Sequence, residues 1–154
     1  MIEPGQRAPG FSLPDEDGND VSLSDFAGRR LVIAFYPGDF SSVCSDQLGL
    51  YQEVLADLEG KGAAIAGISV DSSDSHRAFR ERLGVTFPLL ADFHPKGEVA
   101  RAYGTYSEEY GKSARALFLV DEAGVVRWAY ESPPLEVPGA NLIFDALASL
   151  EQAR

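Results

Sequence analysis

The chain has 154 residues, 45% of them hydrophobic, with 15 glycines and 9 prolines, which suits a folded domain with a sizeable core. Thirteen Lys and Arg against 24 Asp and Glu leave a formal charge of −11. That balance disfavours a nucleic-acid footprint and an anionic membrane surface, both of which need clustered cations.

The start MIEPGQRAPGF lacks the basic-then-apolar pattern of a secretory signal, and no apolar run approaches a membrane span. One cysteine cannot close an internal disulfide, so the fold needs no oxidising compartment and the expected location is the cytoplasm. No repeat or linker divides the chain, and a single domain over residues 1–154 is expected.

In chain order, alternating residues at 11–14 and 21–23 flank Asp15-Glu16-Asp17-Gly18-Asn19, a hairpin pattern. The apolar run at 31–35 reads as a strand covered on both faces, and residues 63–70 read as a second. Between them Leu48, Tyr51, Leu55 and Leu58 recur at helical spacing, which makes a parallel strand–helix–strand unit. A helix is expected near 73–83 and a shorter one near 96–103. Residues 117–120 and 125–130 flank Asp121-Glu122-Ala123-Gly124 as an antiparallel hairpin, and Ile143, Leu147 and Leu150 give a closing helix its apolar face. The expected architecture is α/β and thioredoxin-like: a mixed central sheet flanked by helices, with an N-terminal hairpin and a central insertion.

Cys44 can be read in two ways. It lies four residues before Leu48 and extends the apolar stripe, as a small buried hydrophobe would. It also falls in the first turn of a helix, just past the carboxyl end of a strand, where α/β sheets bind ligands and where the helix start favours an anion. Ser41 and Ser42 can cap that helix, and Pro37 and Phe40 can keep water from the sulfur. Asp39 and Asp46 oppose a thiolate if their carboxylates come close, so a cation from elsewhere is required. Arg115 meets that need, because it precedes a strand running antiparallel to residues 31–36 and so lies at the same sheet edge. Thioredoxin-type dithiol exchange is set aside, since the position three after Cys44 is Gln47.

Pro37, Ser41 and Cys44 match Pro-x-x-x-Thr/Ser-x-x-Cys, and Arg115-Ala116-Leu117-Phe118-Leu119-Val120-Asp121 matches an Arg-x-x-Phe-apolar-apolar-Asp strand. The chain thereby resembles the peroxiredoxins, thiol-dependent peroxidases on a thioredoxin-like fold. Ser69-Val70-Asp71-Ser72, His76, Phe79 and the stretches at 9–15, 87–92 and 124–127 extend the likeness over nearly the whole chain. Residues 93–97 and 102–104 look most like the one-cysteine alkyl hydroperoxide reductase E group, followed by the bacterioferritin-comigratory group. Serine stands at 41 where threonine is commoner. With one cysteine in the sequence there is no resolving partner, and the long C-terminal extension of some other peroxiredoxins is not expected.

The resemblance implies that Cys44 is the peroxidatic nucleophile, with Arg115, Ser41 and Pro37 around it and Gln47, Tyr36 and Phe40 in support. Tyr36 and Phe40 are expected to shape the pocket or to meet a second subunit. The substrates implied are hydrogen peroxide and organic hydroperoxides. The sulfenic acid formed would be reduced by an external thiol, whether a low-molecular-weight thiol, a glutaredoxin-like protein or thioredoxin. A homodimer is expected, and no metal or other cofactor, nucleic acid or membrane is required. His76 shares a helical face with Phe79 and reads as a hydrogen-bonded packing residue, whereas His94 stands alone and Trp128 belongs to core or interface. The competing readings are a single-cysteine thiol transferase and a non-catalytic thioredoxin-fold binding module.

Overall fold

In the computed structural model, which describes residues 1–153, the chain opens with an antiparallel hairpin of β1 (Ser12–Pro14) and β2 (Asp20–Ser22). Asp15 Oδ1 holds its turn by accepting from the Asp17 and Asn19 amides, a local side-chain turn of the kind that aspartate favours. Next come β3 (Arg30–Phe35), α1 (Ser42–Glu53), α2 (Leu55–Gly60), β4 (Ala63–Ser69) and α3 (Ser73–Leu83). They are followed by β5 (Leu89–Ala91), α4 (Glu98–Ala102) and a small hairpin of β6 (Tyr106–Ser107) with β7 (Lys112–Ser113). The chain then forms β8 (Ala116–Val120), β9 (Val126–Glu131) and α5 (Ala140–Gln152).

The central sheet has the order β5-β4-β3-β8-β9. β3, β4 and β5 are parallel, while β8 is antiparallel to both β3 and β9. This is the mixed sheet of a thioredoxin-like fold. β3 is buried on both faces, as its unbroken apolar run requires. Val32, Ala34 and Tyr36 enter one core cluster with residues of α1, α2, α3 and α5, whereas Leu31, Ile33 and Phe35 enter another with α4 and the N-terminal segment. The period-2 alternation of a strand thus divides one run between two cores.

Gly67 of β4 makes room for the first cluster near the future site. A Cβ there would stand 2.8 Å from Leu89 Cδ2 and 3.2 Å from Tyr36 Cε1, so the tyrosine ring packs where a side chain would otherwise be.

The stripe of residues 44–58 is interrupted. The backbone leaves helical geometry at Val54 (φ −103°, ψ 6°), which divides one expected helix into α1 and α2. Cys44, Leu48, Tyr51 and Leu58 nevertheless enter the same cluster, so the apolar period survives the break. Among the described residues, no helix is long and apolar enough to cross a membrane.

Candidate active site

Ser41 is the N-cap of α1, and its Oγ accepts from the Cys44 amide at 3.2 Å. This satisfies one of the amides that a helix start leaves without a helical acceptor. Ser45 Oγ donates to the Ser41 carbonyl at 2.8 Å and tightens the same turn. Ser42 lies inside the helix rather than capping it. Cys44 therefore has a fixed backbone, and it has no exposed surface. It is more enclosed than a helix-start position alone predicts, because it shares the core of Leu48, Tyr51 and Phe79.

The register of β3 against β8 pairs Phe35 with Ala116 and so sets Arg115 beside the start of α1. Arg115 is 3% exposed. Its Nη1 donates to Cys44 Sγ at 3.2 Å and to Gln47 Oε1 at 2.6 Å, and its Nη2 donates to the Pro134 carbonyl at 3.0 Å. Arg115 Nε is buried and has no hydrogen-bond partner, an expensive state unless a ligand supplies the acceptor.

Gln47 is fully buried and relays the arginine onward. Its Nε2 donates to Tyr51 Oη at 3.3 Å, and Tyr51 Oη donates to the Pro138 carbonyl at 2.8 Å. Burial pushes the Tyr51 hydroxyl up to about 12, against the opposing influence of Gln47 and Arg115. It is thus a neutral donor over the ordinary pH range.

The acids flanking the cysteine are disposed of differently. Asp46 is exposed. Asp39 turns inward and accepts from Tyr36 Oη at 2.7 Å and Ser75 Oγ at 2.7 Å, and its Oδ2 lies 2.8 Å from His76 Nδ1. Tyr36 has no exposed surface. It cannot be the surface contact that its place in the loop suggested, and it braces the loop from within. Burial, followed by the Asp39 charge, holds its hydroxyl well above the usual tyrosine range.

Phe40 is half exposed, with its ring 5.1 Å from that of Phe79, and Pro37 is half-buried in the same loop. His94 is exposed, and Trp128 is half-buried with its ring stacked on Tyr130 at 6.0 Å.

Asp39, Asp71 and His76 bring potential metal-ligand atoms within 4.8 Å of one another. Those atoms already bind one another, Ser69, Ser75 and the Asp39 amide, so the cluster fits an internal hydrogen-bond network better than an ion. Two clefts of about 520 and 450 Å³ lie elsewhere, one beneath Arg7 and Phe26 and the other between Trp128 and α5. The chemistry gathers at a helix start rather than in a large cavity.

Cys44, Arg115, Ser41 and Gln47 are therefore brought together at the start of α1. Tyr51 and the carbonyls of Pro134 and Pro138 were not anticipated. The four-residue spacing of Gln47 and Tyr51 on one helix is a readable sign of the first. Nothing local in the sequence marks the two carbonyls.

A thioredoxin-like sheet that sets a buried cysteine under a buried arginine belongs to the class of thiol-dependent redox proteins. A family model described as "AhpC/TSA family" matches residues 4–129. A Mycobacterium tuberculosis protein described as a peroxiredoxin is 42% identical over 131 residues, covering 81% of this chain and 82% of its own. Alkyl hydroperoxide reductase E of the same organism is 36% identical over 151 residues, covering 97% of this chain and 99% of its own. The crystal structure of Enterococcus faecalis AhpC superposes with a TM-score of 0.91 at 29% identity, covering 99% of this chain and 94% of that one. The chain belongs to the AhpC/TSA family, the peroxiredoxins, and is a thiol-dependent peroxidase.

Proposed function

We propose that Cys44 is the peroxidatic nucleophile of a one-cysteine peroxidase acting on hydrogen peroxide and organic hydroperoxides. The observation that carries this reading is the Arg115 guanidinium. One nitrogen lies 3.2 Å from Cys44 Sγ, while Nε is buried without a partner.

The Cys44 thiolate attacks one peroxide oxygen, an S–O bond forms, and the O–O bond breaks. The leaving oxygen departs with the O–O electron pair and takes a proton, giving water or an alcohol, and Cys44 becomes sulfenic acid. Arg115 Nε and the Ser41 hydroxyl proton, which makes no hydrogen bond among the described residues, are the donors available to the moving charge. Pro37 helps to cover the sulfur.

An external thiol then condenses with the sulfenic acid and releases water. A second thiol displaces Cys44 and leaves with the first as a disulfide. A low-molecular-weight thiol, a glutaredoxin-like protein or thioredoxin meets this need, because the chain carries one cysteine. The enzyme works in the cytoplasm as a homodimer. Exposed Phe40, Phe93 and Leu135, in loops that follow β3, β5 and β9 at one sheet edge, support a contact near the site.

The test mixes reduced protein with one equivalent of each hydroperoxide. One added oxygen on Cys44 is expected, at a rate far above that of a free thiol, and Cys44→Ser should not react. A wild-type rate no faster than a free thiol overturns the reading.

A further inference from the structure

His76 lies in the first turns of α3 and has no exposed surface. Both of its ring nitrogens face oxygen acceptors, with Nδ1 2.8 Å from Asp39 Oδ2 and Nε2 3.0 Å from the Leu90 carbonyl. Asp39 and the Leu90 carbonyl thus hold the ring from both sides and fix its orientation in the core. The Asp39 side chain is itself 1% exposed.

The other groups facing this pair complete its satisfaction. Tyr36 Oη donates to Asp39 Oδ1 and lies 3.3 Å from His76 Nδ1, and Ser75 Oγ donates to Asp39 Oδ2. Asp71 binds the Asp39 amide at 2.8 Å, while Ser69 Oγ donates to the Asp71 carboxylate at 2.6 Å. Asp39 is thus held by side chain and backbone together.

Phe40 follows Asp39 and precedes Ser41, the cap of α1. Its φ is +66°, and it is the only non-glycine residue at positive φ among the described residues. A non-glycine side chain is disfavoured in that region and stays there only when its surroundings impose it. Here the surroundings are the anchored Asp39 on one side and the capped helix on the other.

We propose that the buried Asp39–His76 pair is the positioning device of the active site: it holds the loop at 38–41, with left-handed Phe40, in the form that starts α1 at Ser41 and sets Cys44 against Arg115. His76 does not touch the sulfur and acts through Asp39. The proposal rests on Cys44 as the peroxide-reacting thiol.

The test is a double-mutant cycle with His76→Asn, Asp39→Asn and the double variant. It is read by the second-order rate of Cys44 oxidation by hydrogen peroxide and by the melting temperature. Each single change strands one member of a buried pair, and His76→Asn is expected to slow oxidation about ten-fold or more. Iodoacetamide labelling of the otherwise enclosed Cys44 should accelerate in the same protein. The double variant pairs two neutral amides and should recover part of the lost rate.

A role limited to holding the fold together would lower the melting temperature and leave the oxidation rate of folded protein unchanged. A His76→Asn rate within two-fold of wild type, or two single losses that simply multiply in the double variant, overturns the proposal. If His76→Asn does not fold, Ser75→Ala decides, since it removes one donor from Asp39. A several-fold slower rate supports positioning, and an unchanged rate overturns it. A fast wild-type enzyme with an indifferent cycle defeats the pair alone, whereas a wild type no faster than a free thiol defeats the nucleophile assignment first.

Discussion

Arg115 and Cys44 are 71 positions apart in the chain, yet Nη1 and Sγ are 3.2 Å apart. The antiparallel register of β3 and β8 brings them together. The guanidinium donates to sulfur, glutamine and a backbone carbonyl at once, which one ammonium on a flexible stem cannot reproduce. Arg115→Lys is therefore expected to lower the second-order rate of Cys44 oxidation by about 100- to 1000-fold, the scale of losing a preorganised donor to a developing oxyanion. Stopped-flow mixing with hydrogen peroxide measures it. A loss of less than about ten-fold would remove Arg115 from the charge-stabilising role.

Ser41 acts on backbone and substrate together. Ser41→Ala deletes the acceptor for the Cys44 amide and should cost about 1 kcal/mol of stability, as loss of a helix cap does. It also removes a hydroxyl donor and should slow oxidation about ten-fold or more. Ser41→Thr keeps the oxygen, and its branched Cβ restricts the rotamer, so stability and rate should match or exceed those of wild type. Urea unfolding and peroxide kinetics on both variants decide the matter. Equal rates for the alanine and serine proteins would count against the hydroxyl.

Gln47 links Arg115 to Tyr51 without exposure to solvent. Gln47→Ala leaves a cavity and removes the acceptor that Arg115 Nη1 reaches at 2.6 Å. A buried donor left short of partners costs about 1–3 kcal/mol, and the urea midpoint should fall accordingly. Gln47→Glu retains an acceptor oxygen for Arg115 and should be the less destabilised of the two. The reverse order would show that packing at 47, rather than the bond to Arg115, sets the stability.

How much of this was legible in the sequence depended on the range of the interaction. The start of α1 followed from Ser41 and the period of Leu48 and Tyr51, because capping and helical spacing are local. Arg115 could be placed because strand direction converts a long separation into adjacency. The break at Val54 left no mark on the apolar period, since Leu58 reaches the same core on either side of it. The inward turn of Asp39 was hidden, because an aspartate in a Pro-Gly-Asp loop looks like a surface turn residue. What draws it inside is His76, 37 positions away. The same holds for Tyr36, whose burial follows from the space left by Gly67 on the neighbouring strand.

Tyr51 supplies a pH test of the buried relay behind the arginine. Burial raises its hydroxyl from an ordinary 10.0 to about 12 in the folded protein. The folded state holds this proton more tightly than the unfolded chain does, so the stabilisation is complete below about pH 10 and is lost as pH rises toward 12. Tyr51→Phe removes the bond to the Pro138 carbonyl and should cost about 1 kcal/mol near neutral pH. The variant has no proton to lose at this site, and Tyr36 and Tyr103, whose hydroxyls are also raised by burial, titrate alike in both proteins. The stability gap between wild type and Tyr51→Phe should therefore shrink from about pH 10 and reverse in sign before pH 12 in urea titrations, because a shift from 10.0 to about 12 outweighs a bond worth about 1 kcal/mol. A gap that stays constant across that window would mean that the Tyr51 proton is not held by the folded state.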